Sequence, residues 1–362
     1  MDKFAFVIHP VYEEDILRKF PMFKHLPDFV IERATRLIPP LKVSDITGIR
    51  SDYNECVGEF IGCPLTSRQL LGLPLLESLR KIIACVKLAE KNGAKIVGLG
   101  ALTSVIGDGG ITIAQNSNIA VTTGNSYTVY TALEGTKYAA GLMGIDWPNA
   151  NIVVLGATGS IGKVCVQLLA RENKYLTLVA RQQSKLEKLA AEIMYKNGLA
   201  VKITSSLKEA LKSADVVMAV SASVDYQIEP EDLKPGAVVC DVARPRDVSP
   251  QVARLRNDVL VVEGGVVDVP NGADFNFNFG FPPGKSYACM AETMILTLEK
   301  RFECFSLGRE MSIEKVEEIA KLARKHGFKL SGLRSFERDI TLAEIERIRE
   351  NAEAKRTKRS AV

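Results

Sequence analysis

Histidine is scarce in this chain of 362 residues. The three present, His9, His25 and His326, are too few and too dispersed for a histidine metal cluster. Cysteine occurs seven times, an odd number with no CxxC pair, which argues against a disulfide framework and against structural zinc. No metal is expected. No uncharged apolar run is long enough to span a bilayer. The opening MDKFAFVIHP lacks the long apolar core and the cleavage site of a secretory signal, so a cytoplasmic protein is expected. Charge of one sign is also lacking. A net charge of +4 is too small to argue for nucleic acid and fits an acidic small substrate or acidic partner. No internal repeat is visible.

What is present is apolar content of 46%, enough for real cores, in a length for which two domains are a fair expectation. The most informative stretch is NIVVLGATGSIGKVCVQLLARENKYLTLVAR, residues 151–181. A short apolar run from Ile152 to Leu155 reads as a buried strand, and Gly156, Gly159 and Gly162 follow it. An amphipathic helix then carries Val164, Val166, Leu168 and Leu169, and Tyr175 to Val179 is a second strand. Strand, glycine turn, helix and strand make one βαβ unit with a nucleotide-type turn. Gly156 allows the sharp turn, Gly159 clears the approach of a pyrophosphate, and Gly162 lets helix and strand pack closely. The helix start offers N–H groups and a positive dipole end, to which Thr158 and Ser160 could add hydroxyls. The alternative is a tight turn with no ligand.

Cofactor choice is read where the second strand ends. NAD sites usually place Asp or Glu there for the ribose 2′-hydroxyl. Here stands Arg181, followed by Gln182, Gln183, Ser184 and Lys185, which favours a 2′-phosphate and so NADP(H). An ordinary solvated arginine is the bland reading. Further on, βα alternation predicts a doubly wound parallel sheet. Ser221, Ala222, Gly264 and Gly265 lie at strand ends where a nicotinamide could rest.

The expected architecture is α/β throughout: an N-terminal α/β substrate domain over 1–147, an NADP-binding Rossmann domain over 148–270, and a C-terminal helical segment over 271–362. In the first, strands are expected at 4–8, 44–50, 56–61, 95–100 and 119–123. Trp147-Pro148 marks the boundary, since proline stops a helix. Polar turns at strand ends single out Ser104, Asn125, Ser126 and Tyr127 as substrate or nicotinamide contacts. Arg80 and Lys81 read as a solvated face or as a guide for an acidic carrier or phosphate. Phe275, Phe277, Phe279 and Phe281 read as an acyl-tunnel lining or as packing at a domain interface. The basic end, 354–359, reads as a frayed tail, with contact to a membrane surface or a carrier as the alternative.

Ser286 looks like an N-cap for a helix over 287–301, which places Cys289 in its first turn. Such placement lowers a thiol's pKa, and a thiolate can take up an activated acyl group as a thioester. On placement alone Cys289 also reads as a small core hydrophobe, since free cysteine is often buried. Glu292 stands at i+3 from Cys289 on the same helix, placed to tune its protonation or to meet the helix dipole.

Four stretches, GLGALTSV (98–105), VTTGNSYTVY (121–130), GATGSIG (156–162) and SYACMAETMILTL (286–298), together resemble the bacterial long-chain acyl-[acyl-carrier-protein] reductases. FSLGREMSIEKVEEIAKLARKHGF (305–328) matches as well, in the same order. The tail after Gly332 extends beyond the family pattern, and an insertion falls around Leu71–Leu76. The resemblance implies NADPH-dependent reduction of acyl-carrier-protein or coenzyme A thioesters to fatty aldehydes through a cysteine acyl-enzyme. Cys289 is the matching cysteine. Gly156, Thr158, Gly159, Ser160, Ile161, Gly162 and Arg181 are then the residues expected to hold NADPH. The competing readings are a shikimate/quinate-type NADP dehydrogenase with a Lys/Asp pair and no cysteine, and a non-catalytic nucleotide-binding protein in which Cys289 is buried and inert.

Overall fold

The computed structural model describes residues 1–10, 28–221, 227–243, 246–278, 282–336 and 338–360. The chain divides into two compact units, each built from two separate stretches. The first is Met1–Tyr127 with Val267–Lys329, and the second is Thr128–Val266 with Leu330–Val362.

The first unit holds five strands, β1 (Asp2–Ile8), β2 (Leu41–Arg50), β3 (Glu55–Gly62), β4 (Ile96–Leu99) and β5 (Ala120–Thr122), in the order β2-β3-β1-β4-β5. All neighbours are parallel except β2 with β3. A parallel sheet covered on both faces needs near-continuous apolar strands, and Phe4-Ala5-Phe6-Val7 supplies one. Ala5 and Val7 point into a core with Ile61, Val97, Leu99 and the helix Leu75–Lys91. Phe4 and Phe6 point the other way. Their rings lie over Gly58 and Gly98, their own cross-strand neighbours. A Cβ at Gly58 would stand 2.3 Å from the Phe4 ring, and one at Gly98 would stand 2.4 Å from the Phe6 ring.

That second face is covered by the helix Ala288–Leu298, here the cysteine helix. A Cβ at Gly98 would also meet Thr293 Oγ1 at 2.2 Å, so helix and sheet touch where glycine leaves room. The expected C-terminal segment 271–362 is therefore divided. Residues through Lys329 complete the first unit, because a helix apolar all round must be buried and the open sheet face is what buries it. The remainder joins the second unit.

The second unit holds six parallel strands, β6 (Asn151–Leu155), β7 (Tyr175–Val179), β8 (Lys202–Thr204), β9 (Val216–Ala219), β10 (Val238–Asp241) and β11 (Leu260–Glu263). Their order is β11-β10-β9-β6-β7-β8. Counted from β6 this is 6-5-4-1-2-3, the doubly wound Rossmann order, whose switch point lies between β6 and β9. The helix Leu342–Ser360 and a short hairpin, Arg334–Ser335 with Arg338–Asp339, clasp the edge strand β11. Arg356 Nε donates to the Pro235 carbonyl at 3.1 Å, and Lys355 pairs with the buried Asp258 at 2.9 Å. Thr341 and Glu344 form a capping box: the Thr341 N–H donates to Glu344 at 2.8 Å, and the Glu344 N–H to the Thr341 hydroxyl at 3.3 Å.

Candidate functional site

In the second unit, Gly156 ends β6 with φ +82, and Gly159 is the N-cap of the helix Ser160–Leu169. No side chain caps that helix start. A Cβ at Gly162 would stand 2.2 Å from the Gly156 carbonyl oxygen, whereas one at Gly159 would meet only that oxygen, at 3.2 Å. Gly162 thus serves packing, and Gly159, which is exposed, leaves open the approach to the helix start. Thr158, Ser160 and Ile161 are half-buried around the same turn. Arg181 is exposed just past β7, the neighbour of β6. Ser221 follows β9 on the other side, and a Cβ at Gly156 would stand 2.9 Å from its backbone. The glycine turn, Arg181 and Ser221 therefore meet at the carboxyl edge around the switch point. Gly264 and Gly265 end the outer strand β11, and Gly264 is held by packing: a Cβ there would stand 2.5 Å from Val242 and 2.9 Å from Cys240 Sγ. Ala222 lies outside the described residues, as do Phe279 and Phe281.

A carboxyl pair stands behind Ser221. Asp247 accepts the Ser221 N–H at 3.1 Å, while Asp241 accepts those of Ala243 at 3.1 Å and Val248 at 3.2 Å. Burial pushes Asp247 up to about 8, helped by the charge of Asp241 and opposed by the Ser221 N–H. Neither carboxyl is singled out by the sequence, in which a six-residue offset carries no local signal.

In the first unit, the cysteine helix begins one residue later than expected. Ser286 is not its cap. Lys285–Tyr287 is a short strand, the Ser286 hydroxyl donates to the Tyr287 carbonyl at 3.1 Å, and Tyr287 is the N-cap without a side-chain bond to the helix. Cys289 remains in the first turn. Every other residue of this helix is buried, while Cys289 is half-exposed. Of the other cysteines, Cys304 is exposed and five are buried.

The turn after β5 packs against this helix start. Gly124 has φ +73, and a Cβ there would stand 2.2 Å from Cys289 Cα and 2.3 Å from its carbonyl oxygen. Glu292, fully buried one turn along, accepts the Thr122 hydroxyl at 2.5 Å and the Tyr127 N–H at 2.9 Å. Burial pushes its carboxyl upward, against the bonds from Thr122 and Tyr127 and the charge of Lys315. Ser306, left-handed at φ +49, accepts the Ser126 N–H at 3.2 Å and donates to Ser126 Oγ at 2.7 Å. Thr123 donates to the Ser306 carbonyl.

The four substrate candidates fare differently. Asn125, Ser126 and Tyr127 open the helix Asn125–Leu142 instead of sitting in a loop. Ser126 and Tyr127 are buried, with their N–H groups spent on Ser306 and Glu292, so they brace the turn. Asn125 is half-buried. Ser104 is 7% exposed and donates to the Ala101 carbonyl at 2.7 Å, which spends its hydroxyl locally. Lys81 donates to the carbonyls of Arg36 and Ile38, both at 2.9 Å, a structural use; Arg80 is exposed. Phe275 stacks on Phe60 at 6.0 Å and Phe277 meets that ring edge-on at 6.3 Å, so both pack within the first unit.

A second polar group sits at the far end of the cysteine helix. Ser51 Oγ is 2.9 Å from His326 Nδ1, and His326 Nε2 is 2.7 Å from Glu299. The order resembles a nucleophile relay. However, Ser51 Oγ already accepts the N–H groups of Tyr53 at 3.3 Å and Asn54 at 3.2 Å, so it locks the β2–β3 turn.

These parts define a two-unit α/β protein: a dinucleotide-type Rossmann unit, and an α/β unit presenting one thiol at the start of a buried helix. The profile of the family described as shikimate / quinate 5-dehydrogenase matches residues 138–263, the nucleotide unit and no more. The long-chain acyl-[acyl-carrier-protein] reductase of Synechococcus elongatus is 30% identical over 305 residues, 80% of this chain and 87% of its own. Aminotransferase PigE of Serratia sp. is 30% identical over 310 residues, 84% of this chain, and the chain spans only 36% of its length. A glutamyl-tRNA reductase of Methanococcus maripaludis is 33% identical over 131 residues, 35% of this chain and 32% of its own. The chain belongs to the family of the long-chain acyl-[acyl-carrier-protein] reductases. NADPH is the cofactor of that family, and the cleared approach at Gly159, the uncapped helix start and Arg181 in place of an acid fit it.

Proposed function

We propose that the protein reduces long-chain acyl thioesters, carried by acyl carrier protein or coenzyme A, to fatty aldehydes. The observation that carries this reading is Cys289: the one residue of its helix that is not buried, in the first turn, with no side chain capping that helix. A helix start favours the thiolate. Cys289 Sγ attacks the thioester carbonyl carbon, the carrier thiolate leaves and takes up a proton, and the acyl group is held on Sγ. When bound, NADPH supplies the hydride that takes this acyl group to the aldehyde level. Cys289 then releases the carbon as the S–C bond breaks and recovers its proton. Gly156, Gly159 and the helix start after them hold the pyrophosphate, and Arg181 meets the 2′-phosphate. Gly162 keeps that helix against β6. No helix among the described residues is long and apolar enough to cross a membrane.

The test uses radiolabelled long-chain acyl-CoA without cofactor. Label is expected on the Cys289 peptide, absent in Cys289→Ala, with aldehyde released when NADPH is added. Turnover of a hydroxy acid with NADP by Cys289→Ala would instead support a dehydrogenase of the kind that the match over 138–263 describes. NADPH binding with neither reaction would leave a non-catalytic nucleotide-binding protein.

A further inference from the structure

The turn Thr122–Tyr127 is fastened to the cysteine helix and to Ser306 by buried hydrogen bonds, and Glu292 makes two of them. Glu292 acts as a cap in trans. Tyr127 is the third residue of the helix Asn125–Leu142, and its N–H is one that the helix itself cannot satisfy. The same side chain holds Thr122 at the end of β5. Between these two anchors stands Gly124, whose backbone lies so close to Cys289 that no side chain fits. Moving either anchor moves the wall beside the thiol.

We infer that Glu292 is a positioning residue for Cys289: by pinning Thr122 and Tyr127 it fixes the turn that shapes access to the sulfur. The inference rests on Cys289 being the working thiol, and its test needs no acyl substrate. A glutamine keeps an acceptor for the Tyr127 N–H and a donor toward the Thr122 hydroxyl. A leucine of similar size keeps neither.

The experiment is alkylation of the full-length protein by iodoacetamide from pH 6 to 10, read peptide by peptide by mass spectrometry. Cys304, exposed, is the internal reference, and the buried Cys56 and Cys85 report that the unit stays folded. The Cys289-to-Cys304 rate ratio is expected to fall at least fivefold in Glu292→Leu, with an altered pH profile. It should stay within twofold of the parent in Glu292→Gln. If Cys56 and Cys85 become reactive in Glu292→Leu, that variant has unfolded, and Thr122→Val decides. It removes one of the two bonds, and it should lower the ratio at least threefold, with Thr122→Ser restoring it. A ratio and pH profile unchanged in both Glu292→Leu and Thr122→Val, or unchanged in Thr122→Val after Glu292→Leu unfolds, overturns the inference. Failure of the proposed function looks different: the alkylation pattern expected here, with no acyl label on Cys289.

Discussion

Gly159 and Gly162 stand in one turn, yet a methyl group added at each meets a different obstacle. At Gly162 it stands 2.2 Å from a backbone carbonyl that cannot move without β6. Gly162→Ala is expected to cost about 1–3 kcal/mol, as overpacking does, or roughly 2–4 °C in Tm per kcal/mol for a unit of this size. At Gly159 the methyl meets only that same oxygen, at 3.2 Å, a tight contact but far looser than the one at Gly162, so Gly159→Ala should lower Tm less than Gly162→Ala and weaken NADPH binding by an order of magnitude or so, by filling the phosphate approach. Fluorescence titration with NADPH and a thermal melt separate the two; equal affinity in Gly159→Ala would remove the phosphate from that turn. The carboxyl of Asp247 gives a second contrast. Unfolded, it titrates near 3.9; folded, at about 8. Between those values the folded state holds the extra proton, so this group's contribution to stability declines as pH rises and levels off above about 8. Asp247→Asn keeps an acceptor for the Ser221 N–H and removes the titration. The variant's Tm relative to the parent should therefore rise from pH 5 to pH 8, and a constant difference would show that Asp247 ionises normally.

At the scale of elements, the sequence showed most clearly what is periodic and local. The βαβ run from Ile152 to Val179 and its glycine turn depend on neighbours in the chain, and both are found where expected. Ser286 failed as a cap because a strand claims Lys285–Tyr287 first. Ser126 and Tyr127 looked like ligand contacts because small polar residues at a strand end usually are. Their real partners, Ser306 and Glu292, lie more than 160 residues away, and no local pattern announces them. The C-terminal extension makes its own prediction. It clasps the edge strand from both ends, with Lys355 on Asp258 before β11 and Arg334 beside Glu263 at its close. A chain stopped after Gly332 exposes that edge and removes partners from two buried carboxylates. It should melt several degrees lower and self-associate on size-exclusion chromatography. An unchanged melt would reduce the extension to an appendage.

For the whole molecule, linear order misleads. Three consecutive segments were expected. The chain instead passes between units after Tyr127, Val266 and Lys329, so each unit is assembled from two distant stretches. The cause is the open face of the first sheet: Phe4, Phe6 and Phe60 need a cover, and the apolar helix that provides it comes late in the chain. This bears on how the protein is made. A ribosome releases all five strands of that sheet long before residues 288–298 emerge, so the newborn polypeptide carries a bare aromatic surface while residues 123–287 are made. The stretch that closes this surface is the one that brings Cys289, and the thiol takes its place only when the wait is over.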